Sequence, residues 1–204
     1  YAVDAAGNLS SASTNSVTLD TTAPTISSVT AGWDTSLNAT EDNSAGTVTV
    51  VTSGAENGQT VTVSLNGTNY TGTVSNNSTS VTVAAAGLQA LTDGSSYTLT
   101  TNVSDAAGNA ATENTGTSFT YDITAPTISD SVAISSASGV QNSLLNAGDN
   151  VSVTATFSES VIVDNASGTP TLTLVVGSDN RTATYASGSG STPLVFQYTI
   201  QAGE

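Results

Sequence analysis

Apolar and hydroxyl-bearing side chains alternate along much of the middle of this chain. Residues 61–65 are Val-Thr-Val-Ser-Leu, and the same period of two recurs at 48–50, 81–83 and 97–100. Alternation with this period is typical of β-strands that bury one face. Turn-forming pairs such as Asn66-Gly67 and Asp93-Gly94 separate the runs. The pattern predicts one short helical turn near 85–91 and seven strands, near residues 26–33, 46–53, 60–66, 69–75, 79–84, 96–104 and 116–122.

Seven short strands separated by frequent turns favour an all-β fold, an immunoglobulin-like β-sandwich. The single tryptophan, Trp33, is expected in the core, because few other aromatic side chains are present to fill it. We expect it to pack with Val50, Val63, Val83, Leu99, Val103 and Phe119. An odd number of alternating strands leaves the two termini at opposite ends, so successive modules would join end to end as a rod.

One stretch of sequence occurs twice at the spacing of a domain. Asp-Ala-Ala-Gly-Asn occupies residues 4–8 and 105–109, and Thr-Ala-Pro-Thr-Ile occupies 22–26 and 124–128. Self-similarity at a fixed long period indicates tandem modules. We predict that residues 1–23 are the C-terminal tail of a preceding immunoglobulin-like module and that 24–125 form a complete module. Residues 126–204 are predicted to be a truncated, divergent one.

The third segment has clear strand patterns at 151–157, 172–176 and 194–200. It lacks a second strand-loop-strand finish, so its closing strands are expected beyond Glu204. It also has no Asp-x-x-Gly-Asn loop. By itself it would expose a sheet edge, which is an aggregation liability. We therefore expect the sequence to be part of a longer protein.

The charge of the chain excludes several functions. Sixteen Asp and Glu residues stand against the single Arg181, with no Lys or His, for a formal net charge of −15. Binding to nucleic acid or to an anionic membrane needs clustered Lys and Arg, so neither is expected. No apolar segment suggests direct membrane insertion. The chain also lacks Cys, which removes disulfides and thiolate metal sites.

The same inventory argues against an enzyme. Without His, Cys or Lys, an activated nucleophile is available only through carboxylates. A glycosidase needs two acids on opposite sides of a cleft, and the only adjacent acid pair is Glu41-Asp42. Neighbouring residues seldom face one substrate in that way.

Acidic and amide side chains lie mostly in loops and divide between the two ends of the predicted sandwich. Three loops lie near the incoming linker and Asp20, and they contain Glu56, Asn76, Asn77, Asp105 and Asn109. Three others lie near the outgoing linker and Asp122, and they contain Asp34, Glu41, Asp42 and Asp93. Calcium takes six to eight oxygen ligands from carboxylates, amides, carbonyls and water. Asp105 would be a direct ligand, Gly108 would permit a tight turn, and Asn109 would ligate or cap.

Each of these residues also has an explanation without a metal ion. Asp105 would form an Asx-type turn by accepting hydrogen bonds from nearby backbone N–H groups. Asp20 and Asp122 would simply end strands ahead of the linkers, which Pro24 and Pro126 stiffen in any case. The sequence alone leaves both interpretations open.

The Asp-Ala-Ala-Gly-Asn loop followed by Asp-Thr-Thr-Ala-Pro-Thr-Ile resembles the bacterial immunoglobulin-like repeats of giant RTX-type and biofilm-associated surface adhesins. Residues 168–174 and 155–159 resemble another repeat variant of such proteins. The resemblance implies an extracellular or cell-surface extender that contacts its neighbouring modules, with calcium at the junctions. Other domains of the parent would then contact a host or abiotic surface. Carried onto this chain, one junction would use Asp20 with Asp105, and the next Asp122 with Asp34 or Asp42. Asp4 would serve a junction upstream.

Two other functions are compatible with the sequence. A module would bind a glycan, ice or another cell directly, for instance through the hydroxyl groups of residues 47–52. Alternatively, modules of two molecules would make calcium-dependent contacts resembling those of cadherins. The extender hypothesis is favoured because the acidic residues gather at the module ends.

Overall fold

The computed structural model describes residues 1–130 and 132–204, which divide into two compact units, Tyr1–Thr124 and Ala125–Glu204. Each unit is described separately. The strands of the first unit are Thr25–Ala31 (β1), Ser36–Leu37 (β2), Gly46–Ser53 (β3), Thr60–Leu65 (β4), Thr68–Thr73 (β5), Ser78–Val83 (β6), Ser95–Tyr97 (β7), Thr100–Val103 (β8), Asn114–Thr115 (β9) and Phe119–Tyr121 (β10).

The first unit is a β-sandwich. One sheet has the strand order β1-β3-β6, and the facing sheet has the order β5-β4-β8-β9. A small third sheet, β2-β10-β7, pairs β10 parallel with β2 and antiparallel with β7. The β5 backbone passes close to β6, since a Cβ at Gly72 would lie 2.8 Å from the carbonyl oxygen of Ser80. A residue without a side chain is needed where the two sheets meet.

Side-chain alternation builds the core between the sheets. Along β3, Val48, Val50 and Thr52 are buried while Thr47 and Thr49 are exposed. Trp33 is 5% exposed, and its ring meets that of Phe119 edge-on with centroids 5.3 Å apart. The predicted core residues are all buried, and they are joined by Leu37, Val48, Val61, Leu65, Val74, Val81, Leu88 and Tyr121. The predicted all-β sandwich is confirmed.

Five predicted strands match β1, β3, β4, β5 and β6 to within two residues at each end. The prediction of a single strand at 96–104 is wrong, because this segment divides between β7 and β8, which belong to two sheets. The strand predicted at 116–122 corresponds to the shorter β10, and the separate strand β9 precedes it. Residues 95–97 and 119–121 pair with each other in the small sheet, whereas 100–103 and 114–115 pair in the four-stranded sheet. At the crossing the Gly116 N–H donates to the Leu99 carbonyl at 2.8 Å. Alternation does not reveal which sheet a strand joins, so the sequence showed no break.

Helical structure in the described residues is limited to two short pieces. Glu41–Asn43 forms a 3-10 turn, and Ala85–Leu88 forms one α-helical turn (α1) within the predicted stretch 85–91. Leu88 of α1 is buried in the core. None of the helices described is long and apolar enough to cross a membrane.

Residues 1–24, which precede β1, form no strand of their own. An isolated bridge joins Val3 to Leu9, and the stretch 9–23 is exposed throughout. Val17 and Leu19 are 94% and 86% exposed. These apolar side chains have no core to enter within the described chain.

The second unit has one five-stranded antiparallel sheet in its described residues. Its strands are Ala133–Ser138 (β11), Asn150–Val161 (β12), Thr171–Val176 (β13), Asp179–Ser187 (β14) and Ser191–Thr199 (β15), in the order β11-β12-β15-β14-β13. The predicted strands correspond to β12, β13 and β15. The sequence analysis missed β11, which is rich in Ser, and β14, which begins with polar and charged residues. The buried face consists of Val151, Val153, Ala155, Ala183, Leu194, Phe196, Tyr198 and Ile200.

Candidate functional site

The loop at 105–109 is closed by hydrogen bonds between its first and last residues. The Asn109 N–H donates to Asp105 Oδ1 at 2.7 Å, and Asn109 Nδ2 donates to Asp105 Oδ2 at 2.8 Å. Gly108, with φ of 92°, returns its N–H to the Asp105 carbonyl at 3.2 Å. This positive φ is easily adopted only by a residue without a Cβ. The Asx-type interpretation is thus an observed property of the loop, since both carboxylate oxygens of Asp105 accept from it.

Residues 4–8 have the same hydrogen bonds. The Asn8 N–H donates to Asp4 Oδ1 at 2.9 Å, and Asn8 Nδ2 donates to Asp4 Oδ2 at 2.8 Å. Gly7 has a φ of 87° and donates to the Asp4 carbonyl at 3.0 Å. In both loops the side-chain amide of the asparagine is the largest cause of a lowered pKa at the aspartate. Hydrogen bonds to a carboxylate favour its charged form.

Tertiary contacts distinguish the second loop from the first. Asp105 is 3% exposed, whereas Asp4 is exposed. The Ala106 N–H donates to Glu56 Oε2 at 2.8 Å, and Asn109 Nδ2 also donates to the Asp20 carbonyl at 3.2 Å. The first contact ties the loop to the segment between β3 and β4, and the second ties it to the chain that leads into β1. We call Asp20, Glu56, Asp105 and Asn109 the entry cluster.

The structure thus brings together the residues that the sequence placed near the incoming linker. Beside the cluster, the Asn76 N–H donates to Asn57 Oδ1 at 2.7 Å. The Asp20 carboxylate is also engaged locally, because its Oδ1 accepts from the Thr22 N–H at 2.9 Å. Each carboxylate retains lone pairs beyond the hydrogen bonds described, since an ionised carboxylate has about four acceptor positions.

At the opposite end of the sandwich, Asp93 holds the segment that follows β10. Asp93 Oδ1 accepts from the Ile123 N–H at 2.9 Å, and Oδ2 accepts from the Thr124 hydroxyl at 2.5 Å. Asp122 Oδ1 accepts from the Thr124 N–H at 3.1 Å, as Asp20 does from Thr22. We call Asp93, Asp122, Ile123 and Thr124 the exit cluster. Asp93 was placed at this end from the sequence, but it was not among the predicted calcium ligands.

The other two exit candidates lie in different surroundings. Asp42 is 6% exposed, and its Oδ2 accepts from the Tyr121 hydroxyl at 2.7 Å. This hydrogen bond, with burial and the negative charge of Asp42, raises the pKa of Tyr121 to about 12. Asp34 is exposed at the lip of a groove of about 460 Å³ whose wall includes Trp33 and Phe119. Asp42 therefore has a role in the core that is independent of any ion.

The oxygen ligands at the entry cluster are of the kind that a hard cation binds, but few acidic side chains are assembled there. Within residues 1–130 and 132–204, no three acidic side chains lie close enough together to hold a metal ion. Carboxylate, amide and backbone oxygens are nonetheless the ligands that calcium prefers. At the entry cluster these oxygens come from three separate segments of chain. The acidic side chains that the cluster contributes are fewer than the six to eight oxygen ligands that calcium takes.

Solved structures that resemble the chain come from bacterial adhesins. One is from a 1.5-MDa bacterial ice-binding adhesin, described for its retention on the host cell surface. It is 27% identical over 86% of this chain and 53% of that one, with a TM-score of 0.44. Another is a Ca²⁺-stabilized adhesin that helps an Antarctic bacterium to bind ice. It is 29% identical over 97% of this chain and 46% of that one, with a TM-score of 0.42.

A third structure decides the family. It is a bacterial immunoglobulin-like domain from the M. primoryensis ice-binding adhesin, 35% identical over 47% of this chain and 96% of that domain. The chain belongs to the bacterial immunoglobulin-like domains. The TM-score of 0.35 adds nothing to this assignment, which rests on sequence identity across nearly the whole relative. The resemblance to adhesin repeats is confirmed.

The chain spans about half the length of the two larger adhesin chains, 53% and 46%. No protein-family model matches it, and no curated protein matches it significantly. Within this immunoglobulin-like module, the sequence analysis did not foresee that Glu56 binds the repeated loop or that Asp93 binds the exit segment. The only available signal was their position in loops at the appropriate ends.

Proposed function

We propose that this chain is an extender segment of a large secreted or surface-anchored bacterial adhesin, stiffened by calcium where its modules join. The immunoglobulin-like fold and the sequence identity to an adhesin domain support an adhesin-related role. In this proposal residues 24–125 are one complete module and 126–204 a divergent one. Residues 1–23 close the module before them, which accounts for a copy of the repeated loop at 4–8 with no sandwich around it.

One observation carries the calcium part of the proposal. The side-chain amide of Asn109 donates both to the carboxylate of Asp105 and to the backbone carbonyl of Asp20. The repeated loop and the incoming linker therefore already meet through the Asn109 amide, beside the oxygen atoms of Asp20 and Asp105. A calcium ion held by Asp20, Asp105 and Asn109, with Glu56 beside them, would reduce the repulsion among these carboxylates. It would also restrict the linker.

The remaining candidates follow from the repeat. Asp122 occupies the position of Asp20 one module later, and both aspartates accept from a threonine N–H two residues on. Asp122 would serve the next junction, with Asp34 or Asp42 as acidic partners from the same end of the complete module. Asp4 would serve the junction before residues 1–23. Of these, Asp42 is the weakest candidate because its carboxylate is buried against Tyr121.

The proposed protein is extracellular or exposed on the cell surface, and it is not an enzyme. Its partners are the neighbouring modules of the same chain, with no nucleic acid. Contact with a host or abiotic surface belongs to other domains of the parent adhesin. The net charge of −15 supports this assignment, because like charges keep long repeats soluble and apart.

Calcium titration of the whole chain tests the proposal. We expect calcium to raise the melting temperature of the first unit, followed by Trp33 fluorescence, and to extend the small-angle scattering profile. Binding to the folded state alone adds about 2.7 kcal/mol at a hundredfold excess over the dissociation constant. Asp20→Ala and Asp105→Ala should reduce both effects. Glu113→Ala, which removes an exposed acid outside both clusters, should preserve them.

Unchanged melting and unchanged dimensions at millimolar calcium would contradict the calcium junction. A calcium response that survives both Asp20→Ala and Asp105→Ala would place the ion elsewhere in the chain. An equal loss in Glu113→Ala would indicate general charge screening instead of a site.

A second candidate function is direct binding through the outer face of the sheet β1-β3-β6. Exposed hydroxyls lie opposite one another across its strands, with Thr47 beside Thr82 and Thr49 between Thr30 and Ser80. Such regular rows would suit a polar surface such as ice or a glycan. Partition of the chain into growing ice, or its retention on a glycan array, tests this function. Loss of either activity in Thr49→Val would support it.

A further inference from the structure

The segment that leaves the complete module is held by one acidic side chain using both of its oxygens. Asp93 Oδ1 accepts from the backbone N–H of Ile123, and Oδ2 accepts from the hydroxyl of Thr124. The two contacts involve successive residues, and the donor is a main-chain N–H in Ile123 and a side-chain hydroxyl in Thr124. Rotation of the chain about either residue would break at least one of them.

The turn that presents Asp93 is itself fixed to β10. The Ser95 N–H donates to the Thr92 carbonyl at 3.1 Å, which closes a turn around Asp93 and Gly94. Gly94 has a φ of 73° and donates its N–H to the Tyr121 carbonyl at 2.8 Å. The Thr92 N–H donates to the Tyr97 hydroxyl at 2.8 Å. The Asp93 carboxylate is thus attached to the strand that immediately precedes the residues it binds.

We propose that Asp93 is a positioning residue that fixes Ile123 and Thr124 to the module without a metal ion. Donors already occupy both carboxylate oxygens, and those donors belong to the exit segment itself. The exit differs in this respect from the entry, where the incoming chain is contacted by the amide of Asn109 and the Asp20 carboxylate turns to its own Thr22.

The electrostatics agree with this geometry. The hydroxyl of Thr124, followed by the N–H of Ile123, lowers the pKa of Asp93. The carboxylate is therefore charged at neutral pH, when its two acceptor oxygens are strongest. Four other acids belong to the same end. Asp42 is hydrogen-bonded to Tyr121, Asp122 accepts from the Thr124 N–H, Glu41 accepts from the Asn38 N–H, and Asp34 is exposed.

The contact would fix the direction in which the chain leaves the module, and this biological role rests on the proposed extender function. The contact itself does not depend on calcium. Amide hydrogen exchange of the full chain in excess EGTA therefore tests it separately. We expect Asp93→Ala to speed exchange at Ile123 by roughly tenfold, because the variant removes the charged acceptor of that N–H. Asp93→Asn keeps an acceptor for Ile123 and should have a smaller effect there.

Two further variants keep the test decisive. Thr124→Val removes only the hydroxyl that donates to Asp93. It should speed exchange of the backbone amide at position 124, with little change in the melting temperature of the module. Asp34→Asn, at the same end but outside the exit cluster, should change neither amide. If Asp93→Ala is not folded, Thr124→Val and Asp93→Asn still provide the measurement. Unchanged exchange at Ile123 and Thr124 in the folded variants overturns the proposal, whatever calcium does at the entry cluster.

Discussion

The two copies of the repeated sequence form the same local turns and differ in almost everything else. Asp4 with Asn8 and Asp105 with Asn109 make matching hydrogen bonds, and Asp20 and Asp122 each accept from the threonine two residues on. Residues 119–121 form a core strand, β10, whereas the corresponding residues 17–19 are exposed. A repeated sequence therefore specifies its turns by itself and becomes a strand only where neighbouring strands are available.

The apolar positions of the two copies should show the largest difference. Phe119 is 4% exposed and Val17, at the matching position, is 94% exposed. We expect Phe119→Ala to destabilise the first unit by about 3–5 kcal/mol, since it leaves a cavity beside Trp33. Val17→Ala should change stability by no more than about 0.5 kcal/mol. Denaturation followed by Trp33 fluorescence measures the free energy of unfolding of both variants. Similar decreases in that free energy would mean that residues 15–20 also pack in solution.

The next difference concerns Tyr121, whose position in the first copy is occupied by Leu19. Tyr121→Phe removes the donor to the buried Asp42 carboxylate. Leaving a buried acceptor unsatisfied costs about 1–3 kcal/mol, so a lower denaturation midpoint is expected. Tyr1→Phe, at an exposed tyrosine, is the control. If Tyr121→Phe is as stable as the parent chain, water replaces the hydroxyl and Asp42 is less enclosed than its burial indicates.

The two loops offer a finer test because their internal hydrogen bonds are alike. Asp105→Asn should lower the denaturation midpoint of the first unit, since Asp105 closes the loop from which Ala106 and Asn109 bind Glu56 and the Asp20 carbonyl. Asp4→Asn should leave the denaturation midpoint unchanged, because residues 4–8 have no sandwich to stabilise. Equal effects would show that the loop contributes through its own turn alone.

The smallest expected effect is on the pH dependence of unfolding. The pKa of Asp105 is lowered in the folded chain, so its contribution is present above its unfolded pKa of about 3.9 and is lost as pH falls through the lower folded value. Denaturation between pH 7 and pH 2 should therefore show a shallower acid decline in Asp105→Asn. Asp4→Asn should follow the parent curve, although the pKa of Asp4 is also lowered, because residues 4–8 lie outside the sandwich whose unfolding is measured. A parent-like acid decline in Asp105→Asn would contradict this linkage.

Much of the fold could be predicted from the period of the side chains. The strands β1, β3, β4, β5 and β6 follow from alternation because a strand with one buried face shows its period directly. The exchange of strands between sheets near Leu99 and Gly116 could not be predicted, since period two looks the same in either sheet. Strand β14 was missed because Asp179, Asn180 and Arg181 interrupt the apolar pattern.

Of the candidate site, the sequence predicted which residues lie at each end, and the structure added which of them touch. The Asn109 amide contacts both Asp105 and the Asp20 carbonyl, and Glu56 binds the same loop through the Ala106 N–H, which no sequence pattern marks. At the other end the contact that holds the chain comes from Asp93, and Asp42 turns inward to Tyr121. Which loop acid binds a linker depends on distances of a few ångströms between segments far apart in the chain.

The sequence by itself determined the alternation, the repeat and the closed Asp-to-Asn turns, because each depends on residues within a few positions of one another. Only the tertiary structure decided that Asp105 is buried while Asp4 is exposed, and that Asn109 contacts the incoming linker while Asp93 holds the outgoing one. Burial and hydrogen bonding between distant segments require the other strands to be in place. The two copies of the five-residue loop therefore share the hydrogen bonds between Asp and Asn that close them and differ in their tertiary contacts.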